Sequence, residues 1–360
     1  MSELNLSLPL APTVARVASR RVIKRLLSVL LSAACLSMLI WVAWLCFEWA
    51  FVNATVSSDA RQAECVAGGG ACWSVIVNRW RLIFFGLYPF EEHWRSVAAC
   101  SIIVVTVILS CVPALWTATR LGILWLVGFT GFYILMRGGL FGLSLIREEQ
   151  WGGLSLTLFI FSASVLIGMP LAIVLALLRD TKLPWISKST GLIIDTIRSL
   201  PLLSILFAFA VVLPFMLPDM MVGEKLYRVI VAYALYFAAY QAEIIRGGLQ
   251  GVPKGQDEAA KAMGMSYRHR MAYVLLPQAF RTSLPATINQ FVVAFMETSL
   301  VVVVGFFDLL ASGNAAYRTA EWTFAFVEVY AFIAAIYFIF SFGLSQYGAY
   351  LERRMGLGKR

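Results

Sequence analysis

Leu154-Ser155-Leu156-Thr157-Leu158-Phe159-Ile160-Phe161-Ser162-Ala163-Ser164-Val165-Leu166-Ile167-Gly168-Met169-Pro170-Leu171-Ala172-Ile173-Val174-Leu175-Ala176-Leu177-Leu178 contains no ionisable side chain. A run of about 20 apolar residues is long enough to cross a bilayer as a helix. Similar runs flank this one, and together they predict eight spans: 26–50, 96–116, 119–136, 154–178, 191–217, 226–245, 284–307 and 324–346. The whole composition agrees. The 360 residues are 60% hydrophobic and 14% charged, with a mean hydropathy of +0.80. Soluble proteins carry roughly a quarter charged residues. A soluble enzyme, a disordered chain and a nucleic-acid-binding domain are therefore excluded. The expected fold is all-α and multi-pass, with lipid as the main solvent.

Arg16, Arg20, Arg21, Lys24 and Arg25 precede the first span, as in a signal peptide. Its apolar stretch exceeds the roughly 7–15 residues of a signal h-region, so an uncleaved anchor is expected. With the N-terminus inside, 19 of the 29 lysines and arginines fall on that face and nine on the other. This asymmetry predicts that both termini are cytoplasmic. It also explains the net charge of +9 as an orientation signal, without a polyanionic partner.

The join Arg147-Glu148-Glu149-Gln150-Trp151-Gly152-Gly153 is polar and then glycine-rich. It divides an extension, 1–150, with three spans and an outer loop at 51–95, from a five-span core, 151–360. No internal repeat is evident, which weighs against inverted-repeat carriers. Cys65 and Cys72 lie in the outer loop. They are a candidate disulfide if that loop faces an oxidising space, although spacing alone leaves pairing and free thiols equally open.

The largest inner connection runs from Arg246 to Arg281. Asp257 and Glu258 suit the first turn of a helix, and Ala259, Ala260 and Ala262 are strong helix formers. Gly264 permits a sharp turn. Ser266 is placed to cap a second short helix, which Pro277 would end. Gly247 and Gly248 would end the preceding helix. A basic loop resting on anionic lipid is the plainer alternative.

The spacing favours a more specific reading. Glu258-Ala259-Ala260, three residues, Gly264, nine residues and Val274-Leu275-Leu276-Pro277 resembles the EAA motif of ABC importer permeases, with Val274 at the isoleucine position. Tyr240-Gln241-Ala242-Glu243-Ile244-Ile245-Arg246-Gly247-Gly248-Leu249, Val252-Pro253-Lys254-Gly255-Gln256 and Leu276-Pro277-Gln278-Ala279 resemble the polar amino-acid uptake family. So do Trp151-Gly152-Gly153-Leu154 and Glu297-Thr298-Ser299-Leu300, the latter with Glu where that family has Asp. Cys65 to Trp73, Phe85-Gly86-Leu87-Tyr88-Pro89 and Trp94-Arg95 are similar to the M-type permease subunits of general L-amino-acid ABC transporters.

The resemblance implies a type I, MetI-like importer core in a bacterial inner membrane. It implies a coupling loop, 247–283, in which Glu258, Ala259, Ala260, Gly264, Leu276 and Pro277 engage a cytoplasmic ATPase dimer. The implied partners also include a second homologous permease in a heterodimer, a periplasmic amino-acid-binding protein and an L-amino-acid substrate. ATP-Mg would belong to the ATPase, because this chain has no G-x-x-x-x-G-K-[ST] loop. G-x-S-x-G and H-E-x-x-H are likewise missing, and His93 and His269 are the only histidines. No catalytic residue, metal site or bound cofactor is expected in this chain.

Ionisable residues within spans are costly and often functional. Glu297, Thr298, Ser299, Glu243 and Arg198 are candidates for lining a translocation path. Asp195 with Arg198, and Glu243 with Arg246, are spaced three apart, so each pair neutralising itself is the structural alternative. Pro201, Pro214 and Pro218 would bend the fifth span. An ion-driven secondary amino-acid carrier, with Glu297 as its ion site, is the main rival reading; a membrane-embedded enzyme or scaffold is a weaker one.

Overall fold

The computed structural model describes residues 11–57 and 62–356. The side chains of Arg16, Arg20 and Arg21, and both chain ends, lie outside the described residues. The chain forms two compact units, Met1–Val77 and Asn78–Arg360.

In the first unit, α1 (Ala11–Phe47) continues through one π turn, Glu48–Val52. Its segment Lys24–Val52 is long and apolar enough to cross a membrane. The chain then folds back onto the end of this helix. Thr55 N–H donates to Ala71 O at 2.8 Å, Ala71 N–H to Trp49 O at 2.8 Å, and the Trp73 indole to Ala50 O at 2.7 Å. A Cβ at Gly70 would lie 2.1 Å from Asn53 O, so only glycine fits there. α2 (Gln62–Ala67) carries Cys65, which is bonded to Cys72 with both residues buried.

α3 (Ser74–Phe85) leads into the second unit. There α4 (His93–Ser110) and α5 (Ala118–Arg137) pack together, with Thr106 seated on Gly128. Arg95 is fully buried and closes the loop after α5. It donates to Leu135 O at 2.7 Å and to Ser144 O at 3.0 Å. Tyr133 and Phe132 of α5 stack on Phe159 of α6 (Gly153–Arg179). These contacts make α4 and α5 part of the same unit as the helices that follow.

The chain continues through α7 (Pro184–Ser199), α8 (Leu202–Phe207), α9 (Asp219–Val222) and α10 (Lys225–Gln250), of which α7 and α10 pack on α6. Small residues let α6 and α10 approach closely, the usual means of packing helices in lipid. A Cβ at Gly168 would meet Phe237 at 2.7 Å and Ala234 O at 2.9 Å. Ala172, Ala176, Ala238, Ala239 and Ala242 continue the same seam, each 0% exposed.

Among the described residues, seven helical stretches are long and apolar enough to span a membrane, and a bent pair makes an eighth if it is counted as one span. The bent pair covers most of the fifth expected span, 191–217, and carries the bend expected at Pro201. Helix α7 and the segment Leu202–Phe215 meet at 100°. Pro201 has no N–H to continue the helix, and Leu200 before it is held extended at φ −94°, ψ 140°. Beyond α8 the chain makes a π turn, Ala208–Val212. Arg228 of α10 donates to Phe209 O and Ala210 O of that turn and to Val222 O and Gly223 O at the end of α9, at 2.6–3.2 Å.

α10 also differs from expectation: Gly247 and Gly248 lie inside it. After α11 (Lys254–Ala262), α12 (Tyr267–His269) passes through a π segment, Arg270–Leu275, into α13 (Leu276–Glu297). Pro277 therefore does not end a helix. The π segment replaces the i→i−4 ladder just where proline would clash with it. Ser266 occupies the N-cap position, but its hydroxyl pairs with His269 Nδ1 at 2.7 Å instead of a backbone N–H. The chain ends with α14 (Leu309–Tyr317) and α15 (Phe326–Arg354).

Candidate coupling surface and translocation path

The helical run Tyr267–Val304 has 38 residues. At 1.5 Å per residue it is roughly 55 Å long, well beyond what the hydrocarbon core requires. Its N-terminal end is thus a stalk, and α11 packs against it. Gly264, at φ +75°, makes the turn between them. Underneath, Val252, Leu275 and Ala279 form a small apolar cluster.

The motif residues divide by face. Ala260 is buried at 2% exposure, and Leu276 is half-buried. Glu258, Ala259, Gly264 and Pro277 are exposed. Met263 and Tyr273 stand out at 74% and 73% exposure. The result is a short helix presenting one acidic side chain and small residues, bordered by two large apolar side chains.

The charged residues near the same end form a cluster that sequence spacing did not foresee. Glu243 is the hub. It meets Arg246 at 2.7 Å, Arg179 at 2.9 Å and Arg198 at 4.0 Å. The expected Glu243–Arg246 pair is present, but the expected Asp195–Arg198 pair is not. Asp195 instead accepts two parallel bonds from Arg179, at 3.0 and 3.1 Å. A guanidinium fits a carboxylate best in this two-pronged geometry. Arg198 lies over the Tyr240 ring, 5.2 Å from its centroid. No local periodicity links Arg179 to partners 16 and 64 positions away.

Glu297 ends α13, where the helix tightens into the 3₁₀ turn Thr298–Val304. Its Oε2 is enclosed and has no hydrogen-bond partner. Thr298 is fully buried and bonds back to Phe295 O at 2.7 Å, while Ser299 bonds back to Met296 O at 2.9 Å. Their hydroxyls are thus used within their own helix. Tyr233 of α10 donates to Ala294 O, one turn before Glu297. Glu243 lies ten residues further along α10, roughly 15 Å towards the coupling end. Glu297 is therefore separate from the Glu243–Arg198 cluster.

Among the described residues, no group of three or more His, Cys, Asp or Glu side chains is arranged to hold a metal ion.

Residues 168–357 match the family described as "Binding-protein-dependent transport system inner membrane component". The inner membrane amino-acid ABC transporter permease protein YhdY of Escherichia coli is 36% identical over 329 residues, covering 89% of this chain and 88% of that protein. The glutamate/glutamine/aspartate/asparagine transport system permease protein BztC of Rhodobacter capsulatus is 29% identical over 347 residues, covering 79% of each. A solved amino acid ABC transporter with histidines is 35% identical, with a TM-score of 0.50, over 56% of this chain and 92% of that one. The chain belongs to the binding-protein-dependent inner membrane components, as a multi-pass, non-catalytic permease subunit of the amino-acid ABC transporter group.

Proposed function

We propose that the chain forms half of the pathway of an ATP-driven, binding-protein-dependent importer of L-amino acids. Residues 151–360 act as the permease core and 1–150 as an added extension. Loop 247–283 seats on a cytoplasmic ATPase dimer, which binds ATP-Mg. A second homologous permease completes the pathway, and a periplasmic binding protein delivers the amino acid. The observation that carries this reading is α11 itself. A nine-residue polar helix with an outward Glu258–Ala259 face packs against the N-terminal end of a 38-residue helical run. A groove in a larger partner would receive such a projection.

In this reading Glu297 faces the substrate ammonium. Its unpartnered, enclosed oxygen supports that role. Glu243 and Arg198 border the path at its inner end, where Glu243 is already committed to arginines. Cytoplasmic termini follow from the inner excess of basic residues. The Cys65–Cys72 bond supports this orientation, because disulfides persist in oxidising compartments such as the periplasm. One span then separates that loop from the N-terminus.

The test is to purify the chain with its associated subunits and assay uptake in proteoliposomes. Co-purification of an ATPase, and loss of uptake in Glu258→Lys and Gly264→Asp at unchanged membrane level, are expected. Normal uptake by both variants would remove the coupling assignment. Uptake that follows a proton gradient without ATP would favour the ion-driven carrier.

A further inference from the structure

Asp257 and Glu258 are adjacent acids that point different ways. Glu258 is exposed, whereas Asp257 is half-buried and turned back towards the stalk. Asp257 contacts Lys261, one turn along α11, and its Oδ1 lies 2.9 Å from Arg270 Nε. The Lys261 ammonium, and after it the Arg270 guanidinium, hold the Asp257 carboxyl below the usual carboxylate range. Arg270 opens the π segment of the stalk, and its side chain is only 15% exposed. A second tie lies beside the first, where Gln278 donates to Gln256 at 3.3 Å.

The backbone joins α11 to the stalk only through Met263-Gly264-Met265-Ser266. That turn is built on a left-handed glycine, and Ala260 is the one residue of α11 that is fully buried. A lever hinged on a glycine turn does not pass on a sideways displacement unless something fixes its angle. The Asp257–Arg270 pair closes the triangle formed by helix, turn and stalk. Arg270 also lies near the start of the helical run Tyr267–Val304, which includes Glu297.

We propose that Asp257 and Arg270 are positioning residues that fix the angle between α11 and the stalk, so that movement of the seated ATPase reaches α13. The proposal rests on the reading that α11 seats on the ATPase. The pair is partly exposed, and such pairs add little to folding. Its loss therefore leaves the assembly intact and lowers the work extracted from each ATP.

The experiment uses the complete transporter in proteoliposomes and a radiolabelled L-amino-acid mixture. Uptake and ATP hydrolysis are measured together for Asp257→Asn, Arg270→Gln and the double variant. Each single variant lowers uptake per ATP about tenfold, within the range of coupling seen in one salt-bridge network, and the double variant is no worse. Arg270→Lys, which keeps the charge, recovers part of the ratio. An unchanged ratio in both single variants, or losses that multiply in the double, would overturn the brace. Loss of the ATPase from the purified single variants would overturn it too, by making these residues docking contacts. Failure of the underlying seating reads differently: Glu258→Lys would then transport normally.

Discussion

Gly248 of α10 lies so close to Ala279 of α13 that a Cβ on residue 248 would sit 2.4 Å from the Ala279 carbonyl oxygen. The neighbouring Gly247 has nothing within 4 Å of the same position. The two glycines, adjacent in sequence, therefore have opposite sensitivities. Gly248→Ala is expected to cost about 1–3 kcal/mol through overpacking. Gly247→Ala is expected to be neutral or to gain up to about 1 kcal/mol from helix propensity. Thermal unfolding of the two variants in detergent checks the contrast, and equal midpoints would refute it.

Asp308 is fully buried and caps α14, accepting from Ala311 N at 3.0 Å and Leu310 N at 3.3 Å. Burial outweighs these bonds and pushes its carboxyl up to about 7 from 3.8. The folded value lies above the unfolded one, so the folded state binds the proton more tightly. The resulting stability is fully present below pH 3.8 and is lost as pH rises through about 7. Asp308→Asn keeps an acceptor without the charge and is expected to flatten this dependence. Asp308→Ala removes the cap and costs about 1 kcal/mol. Melting midpoints measured between pH 3.8 and about 7 would show equal slopes for wild type and Asp308→Asn if this account were wrong.

Arg228 donates to four backbone carbonyls, Phe209 O and Ala210 O in the π turn after α8 and Val222 O and Gly223 O at the end of α9. No second donor of that shape is available from a lysine, whose ammonium is a compact point charge. Arg228→Lys is expected to suffer most of the loss seen in Arg228→Ala, about 2–3 kcal/mol, because carbonyls left without donors carry a desolvation cost. A lysine variant as stable as wild type would show that water serves those carbonyls instead.

Cys65 and Cys72 close a loop with a sequence separation of seven. Chain-entropy reasoning gives about 2.5 kcal/mol for a loop of this length. The double serine variant is expected to lose about that much in stability. Maleimide labelling of these two positions in intact wild-type cells is expected only after reduction. Labelling without reductant would place free thiols there.

The spans were legible because lipid imposes a condition on nearly every residue of a crossing helix. The size of the bend in the fifth span shows the limit of that logic. Hydropathy across 191–217 is continuous, yet Leu200-Pro201 turns it by 100°. Whether a proline kinks a helix or breaks it depends on what holds the two halves. Here Tyr240 donates to Arg198 O at 3.1 Å, across 42 residues. Pro277 illustrates the reverse case: a proline that reads as a stop is absorbed by a π segment.

Residue types and spacing alone determined the membrane solvent, the all-α class, the directional charge bias and the Glu258–Pro277 motif. Each of these depends on composition or on neighbours within a few turns. The tertiary structure decided the partners: Arg179 for Asp195 and Glu243, Arg270 for Asp257, Arg228 for the π-turn carbonyls and Ala279 for Gly248. Those pairings join different helices, and local periodicity carries no information about which charged or small face meets which. They form because a buried charge or carbonyl needs a partner of the right geometry, wherever in the chain it lies.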